Sequence, residues 1–269
     1  MIVEETLPSG MRFWLARPEV DGPRPVVFLH HERYGPVEHS FGLIEKMAGE
    51  GYVGCLPDLY HRFQGDRGAL ERAETRCDPT DEETIADLDE SMAYLHTLDF
   101  IDGDNIGMVG FCASGRAPLV FAGSRDNLKG IAVFHGGVYP RDYDPIYPGQ
   151  GTVADVIPRL SCPLFGAFGE ADFLVPLENV LRLRSELDLH RKSYRIKVFA
   201  GTPHAWGVND DTGRYRPKEA EEAWRMMTSF FSEVFTGKWG VGRAVWQFDS
   251  DVAVDYDHER IVREQAQGA

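Results

Sequence analysis

The chain is predicted to be an α/β protein built on a mostly parallel sheet with helices on both faces. Three observations predict it. Short apolar runs at 26–30, 53–56, 106–110, 130–134, 163–168 and 195–199 are rich in Val, Ile, Leu and Phe with little polar alternation, as strands buried on both faces read. Between them, residues 41–50, 81–97, 116–124, 177–189 and 218–235 place apolar side chains three and four apart, the spacing of amphipathic helices. The regular alternation of the two kinds of segment fits strand–helix–strand crossovers. A chain of 269 residues, 43% of them hydrophobic, can bury one large core, so a single domain is expected over 1–236.

Taken in order, the first apolar run ends in His30, His31, Glu32, Arg33, Tyr34 and Gly35, a polar loop at the end of a buried strand. Consecutive residues at a strand end point in opposite directions, so His30, His31 and Glu32 do not make a metal site. The second run passes into Pro57, Asp58, Leu59 and Tyr60, followed by a highly charged segment at 63–78 that reads as a solvated face or a lid. Thr80 precedes Asp81, Glu82 and Glu83, the acids expected in the first turn of a helix.

The third run, Met108 to Phe111, turns abruptly at Cys112 into the helix that begins near Arg116. Small residues flank the cysteine, with Gly110 two positions before it and Ser114 and Gly115 after it. This is the pattern of a nucleophile held on a tight strand-to-helix turn, with sulfur in place of oxygen. Unpaired N–H groups at the start of the following helix favour a thiolate and an oxyanion.

An acid and a base follow in the order nucleophile, acid, histidine. The 163–168 run enters a loop carrying Glu170 and Asp172, and Asp172, just ahead of Val175 and Pro176, is the candidate acid. The 195–199 run enters a loop with His204, Ala205 and Trp206, and His204 is the candidate base. His135, at the end of the 130–134 run, is the competing histidine and is expected to line the pocket.

With these residues in place, the chain resembles the dienelactone hydrolase family of α/β-hydrolases, whose members carry a Cys-Asp-His triad. The resemblance extends over about 1–236 and includes the stretches 25–35 and 51–60. It implies an α/β-hydrolase fold and hydrolysis of a small-molecule ester or lactone through a thioester. It also implies that Glu32 reaches the nucleophile, and that the N–H groups of Arg33 and Ala113 form the oxyanion hole. Family members that take the acidic lactone hold its carboxylate with arginines, one of them just after the histidine. Here Ala205, Trp206, Gly207 and Val208 stand in that place, and Arg62, Arg67, Arg72 and Arg76 offer no clear register for the other. Trp206 and Tyr34 therefore point to a more aromatic pocket. The alternative from another class is a binding or assembly module that has kept the fold without the hydrolysis.

A net charge of −15 argues against nucleic acid as a partner. The N-terminal residues lack a basic start and an apolar run, and no stretch is long enough to span a membrane, so a cytoplasmic location is expected. Cys55, Cys77, Cys112 and Cys162 show no paired metal spacing, and no disulfide, metal or cofactor is expected. Beyond 236 an extension with Trp239, Trp246 and Phe248 alternates apolar and polar residues from Val245 onward. It is expected to pack as an extended arm on its own domain or, in a homodimer, on a neighbouring subunit, with the last ten residues fraying.

Overall fold

A computed structural model describes residues 2–208, 212–239 and 242–252. Its strands are β1 (Ile2–Thr6), β2 (Arg12–Ala16), β3 (Arg24–His30), β4 (Val53–Pro57), β5 (Ile101–Phe111), β6 (Gly130–Phe134), β7 (Leu164–Gly169), β8 (Tyr194–Phe199) and β9 (Trp246–Ser250). The helices are α1 (Glu38–Gly49), α2 (Arg67–Glu71), α3 (Asp81–Leu95), α4 (Arg116–Ala122), α5 (Pro140–Tyr143), α6 (Val153–Val156), α7 (Leu177–Leu189) and α8 (Pro217–Phe235). The strands form one nine-stranded sheet in the order β1-β2-β4-β3-β5-β6-β7-β8-β9. From β4 to β9 every pairing is parallel, while β2 joins β4 and β1 joins β2 antiparallel.

All six apolar runs became parallel strands. The N-terminal hairpin was not foreseen, because β1 reads as Ile-Val-Glu-Glu-Thr with four of its five residues exposed. Side chains alternate between two cores. Val26, Phe28, Ile106 and Met108 pack with α3, α4 and α7, whereas Val27, Leu29, Val109 and Phe111 pack with α1 and α8. Helix α8 buries Ala223, Trp224, Met227, Phe230, Phe231 and Val234 along one stripe. Helix α3 starts on a reciprocal cap, in which the Glu83 N–H donates to Thr80 Oγ1 at 3.1 Å and the Thr80 N–H donates to Glu83 Oε2 at 2.9 Å.

The alternation read from Val245 onward is β9, which adds to the sheet beside β8 with Tyr194 opposite Trp246. Asp249 of β9 and Asp251 just beyond it are met from β8, where Lys197 Nζ donates to Asp249 Oδ2 at 2.9 Å and to Asp251 Oδ1 at 2.5 Å. Val254, Tyr256 and the final residues lie outside the described residues. Among the described residues no helix is long and apolar enough to cross a membrane.

Candidate active site

Because the strands from β3 to β8 are parallel, their C-terminal ends open on one edge of the sheet, where such folds hold ligands. The loops after β3, β5, β6, β7 and β8 carry Glu32, Cys112, His135, Asp172 and His204 to that edge. Cys112 sits in the left-handed region at φ 49°, and a 3-10 turn, Cys112–Gly115, leads into α4. A non-glycine residue rests there only when its surroundings enforce it. Ser114 is one enforcer: its hydroxyl donates to Phe111 O at 3.0 Å and accepts from the Phe111 N–H at 3.3 Å. Gly110 is another. A Cβ at that position would strike the Ser114 carbonyl and stand 2.7 Å from Gly115 Cα and 2.9 Å from Pro118 Cδ. Gly110→Ala is therefore expected to destabilise the fold by about 1–3 kcal/mol, the scale of overpacking, seen as a lower urea midpoint. An unchanged midpoint would mean that the turn is not as tight as it looks.

His204 Nε2 lies 3.1 Å from Cys112 Sγ, and His204 Nδ1 donates to Asp172 Oδ2 at 2.8 Å. The second carboxylate oxygen of Asp172 accepts the N–H groups of Leu174 and Val175 at 2.9 and 3.0 Å, so the side chain has one orientation. The rival Glu170 is exposed and accepts the Gly201 N–H instead. Burial alone lowers the pKa of His204, but its hydrogen bonds to Asp172 and Cys112 and their charges raise it to about 9. Burial drives the thiols of Cys77 and Cys162 up to about 12, and that of Cys55 well above its ordinary value. The Tyr139 hydroxyl donates to Cys112 Sγ at 3.4 Å. His135, also left-handed at φ 40°, sets its ring edge to face against His204 with centroids 5.0 Å apart.

Cys112 and Ala113 face a cavity of about 110 Å³ that is also lined by Arg33, Tyr60, Cys77 and Tyr139. His135 and Trp206 line a second cavity of about 110 Å³, with Glu32, Phe111, Phe134 and Trp224. Trp206 is fully buried against Phe134 and Phe199, and its ring centroid lies 6.0 Å from that of His135. Tyr34 is half-buried and lines neither cavity. The Glu32 carboxylate sits 3.8 Å from His135 Nε2, whereas the sulfur meets His204 and Tyr139.

Residues 11–235 match the Dienelactone hydrolase family. The chain belongs to that family. It is 29% identical over 231 residues to "Putative carboxymethylenebutenolidase" of Escherichia coli (strain K12), covering 84% of this chain and 83% of the relative. It is 27% identical over 241 residues to the protein of the same name from Yersinia pestis, covering 86% and 87%. Among solved structures, "Putative Dienelactone Hydrolase from Klebsiella pneumoniae subsp. pneumoniae MGH 78578" superposes with a TM-score of 0.77 at 26% identity, covering 87% of this chain and 98% of that one.

In this dienelactone hydrolase family member the elements left unassigned by sequence reasoning complete the cavity. The charged segment at 63–78 contains α2 and is tied down on two sides. Arg67 pairs with Asp58 at 2.9 Å, and the Arg33 guanidinium donates to the carbonyls of Ala73 and Thr75 at 3.1 and 3.3 Å. The end of the segment brings Arg76 and Cys77 to the cavity wall, while the start of α5 brings Arg141. Arg141 lies over the ring of Tyr139 at 4.0 Å. Of these, Tyr139 carried one readable signal, its place four residues beyond His135 on a glycine-rich loop.

Proposed function

We propose that this protein hydrolyses an ester or lactone of a small anionic molecule, with Cys112 as nucleophile, His204 as acid and base, and Asp172 as its orienting carboxylate. The observation that carries this reading is the unbroken contact line from Cys112 Sγ to His204 to Asp172, at 3.1 and 2.8 Å. Dienelactone hydrolase family membership supports hydrolase activity.

The thiolate of Cys112 attacks the carbonyl carbon, and the carbonyl electron pair moves to oxygen. The N–H groups of Ala113 and Arg33, whose residues both line the cavity, bind that oxyanion. Collapse breaks the bond to the alkoxide, which takes the proton from His204, and leaves a thioester on Cys112. His204, neutral again, removes a proton from water. The resulting hydroxide attacks the thioester, the acid departs, and the thiolate–imidazolium pair returns. Asp172 keeps the Nδ1–H directed inward throughout and stabilises the cation.

The anionic part of the substrate is read from Arg33, Arg76 and Arg141 on the cavity wall. No arginine stands among the four residues after His204, but Arg141 reaches the cavity from α5. Arg76 is engaged by Asp78 at 2.7 Å, whereas Arg141 lies on an aromatic face. Arg141→Ala is therefore expected to raise KM for a carboxylate-bearing lactone roughly tenfold, one charge-assisted hydrogen bond, and to change KM for p-nitrophenyl acetate much less. Equal changes for both substrates would remove the anionic group from the reading.

The test of the reaction itself is a stopped-flow burst with p-nitrophenyl acetate and a lactone panel, followed by mass spectrometry of the quenched protein. An initial burst with an acyl adduct on Cys112 supports the thioester route. Folded protein with neither burst nor adduct would favour the binding module.

A further inference from the structure

Hydrolysis uses two members of a three-member donor cluster. Cys112, His204 and His135 are all buried, and one donor atom from each, a sulfur and two ring nitrogens, lie within 4.8 Å of one another. A carboxylate holds His204, and a second one lies near His135. Asp172 Oδ2 accepts from His204 Nδ1 at 2.8 Å, and Glu32 Oε1 lies 3.8 Å from His135 Nε2. His135 Nδ1 is buried and has no hydrogen-bond partner among the described residues. A buried imidazole nitrogen without a hydrogen-bond partner, beside a second imidazole and a thiol, completes a donor set of the kind that holds a metal.

We propose that this cluster binds one Zn²⁺ ion through Cys112 Sγ, His204 Nε2 and a ring nitrogen of His135, and that the bound ion switches the thiol off. One sulfur and two imidazole nitrogens suit zinc, while magnesium and calcium demand oxygen ligands. Zinc bonds of about 2.0–2.3 Å in a tetrahedron place donor atoms roughly 3.3–3.6 Å apart. The 3.1 Å contact between Cys112 and His204 opens by a few tenths of an ångström, and His135 closes by about 1.5 Å or less. The fourth position takes a water from the cavity. The sulfur and both nitrogens donate electron pairs, the proton shared by Cys112 and His204 leaves to solvent, and no electron is transferred. With its sulfur pair on zinc and the His204 lone pair occupied, the site has neither nucleophile nor base.

The experiment is titration of the intact, metal-free protein with Co²⁺ and then Zn²⁺. One equivalent of Co²⁺ is expected to give a near-ultraviolet thiolate-to-cobalt band together with the visible bands of a four-coordinate ion. Zn²⁺ is expected to displace it and to protect Cys112 from iodoacetamide until a chelator is added. His135→Gln is expected to weaken binding by at least the 10- to 100-fold typical of losing a metal-site partner. X-ray absorption of the zinc-loaded wild type, which needs no variant, should count one sulfur and two imidazoles. Cobalt bound without the sulfur band, a zinc shell without sulfur, or equal zinc affinity in Cys112→Ala would overturn the site. These readouts record metal–ligand bonds rather than turnover, so they stand apart from the hydrolysis proposed above.

Discussion

Cys112→Ala is expected to lower kcat on any ester or lactone by roughly 10⁴-fold or more, the scale seen when a triad nucleophile is removed. The protein should nevertheless keep its fold. Alanine retains the small volume that the turn requires, and the positive φ at this position is already enforced by Gly110, Ser114 and Gly136 packed around the Cys112 backbone. A Cβ on Gly136 would collide with the Cys112 carbonyl, so the loop after β6 supports the turn directly. The measurement pairs steady-state kinetics with urea unfolding of wild type and variant. Retention of more than a few per cent of turnover by a folded Cys112→Ala protein would remove the thioester mechanism. Cys112→Ser decides less, because a serine hydroxyl can be activated weakly by the same histidine.

Asp172→Asn should cost on the order of 10³- to 10⁴-fold in kcat/KM, and it should also move the pH profile. In the wild type the His204 cation, which in the proposed mechanism protonates the leaving alkoxide, persists up to about pH 9, so activity is expected to fall as pH rises through that value. Without the Asp172 carboxylate, burial, already the largest single influence on His204, is opposed less and the pKa falls, so the alkaline limb shifts to lower pH. The stability of the fold follows the same group with a definite sign. A histidine whose folded pKa lies above its unfolded value of about 6.5 stabilises the native state fully below that pH. That contribution is lost as pH rises through about 9. Thermal melts of the wild type across pH 6 to 10 should therefore decline at the alkaline end, and Asp172→Asn should decline less steeply. An alkaline limb that stays at about 9 in the variant would mean that Asp172 does not set the histidine.

Much of this was legible in the residue order because local rules sufficed. Six apolar runs named six parallel strands, and the glycine and serine around Cys112 named the turn, since a tight backbone admits only small residues. Asp172 and His204 followed from chain order and from their positions after strands. The N-terminal hairpin was hidden because a solvent-facing edge strand does not need apolar residues. Trp206 illustrates the opposite limit: it stands two residues from His204, yet its ring is buried against Phe134 and Phe199.

The sequence by itself determined six parallel strands, the turn at Cys112 and the chain order of Cys112, Asp172 and His204, because periodicity, backbone sterics and chain order are local properties. The tertiary structure alone decided the wall of the cavity and the environment of the sulfur. Arg33, Arg76 and Arg141 come from separate segments, and so do Cys112, His135 and His204. Which of them meet depends on strand order and loop course, and no spacing along the chain encodes a distance of a few ångströms between residues tens of positions apart.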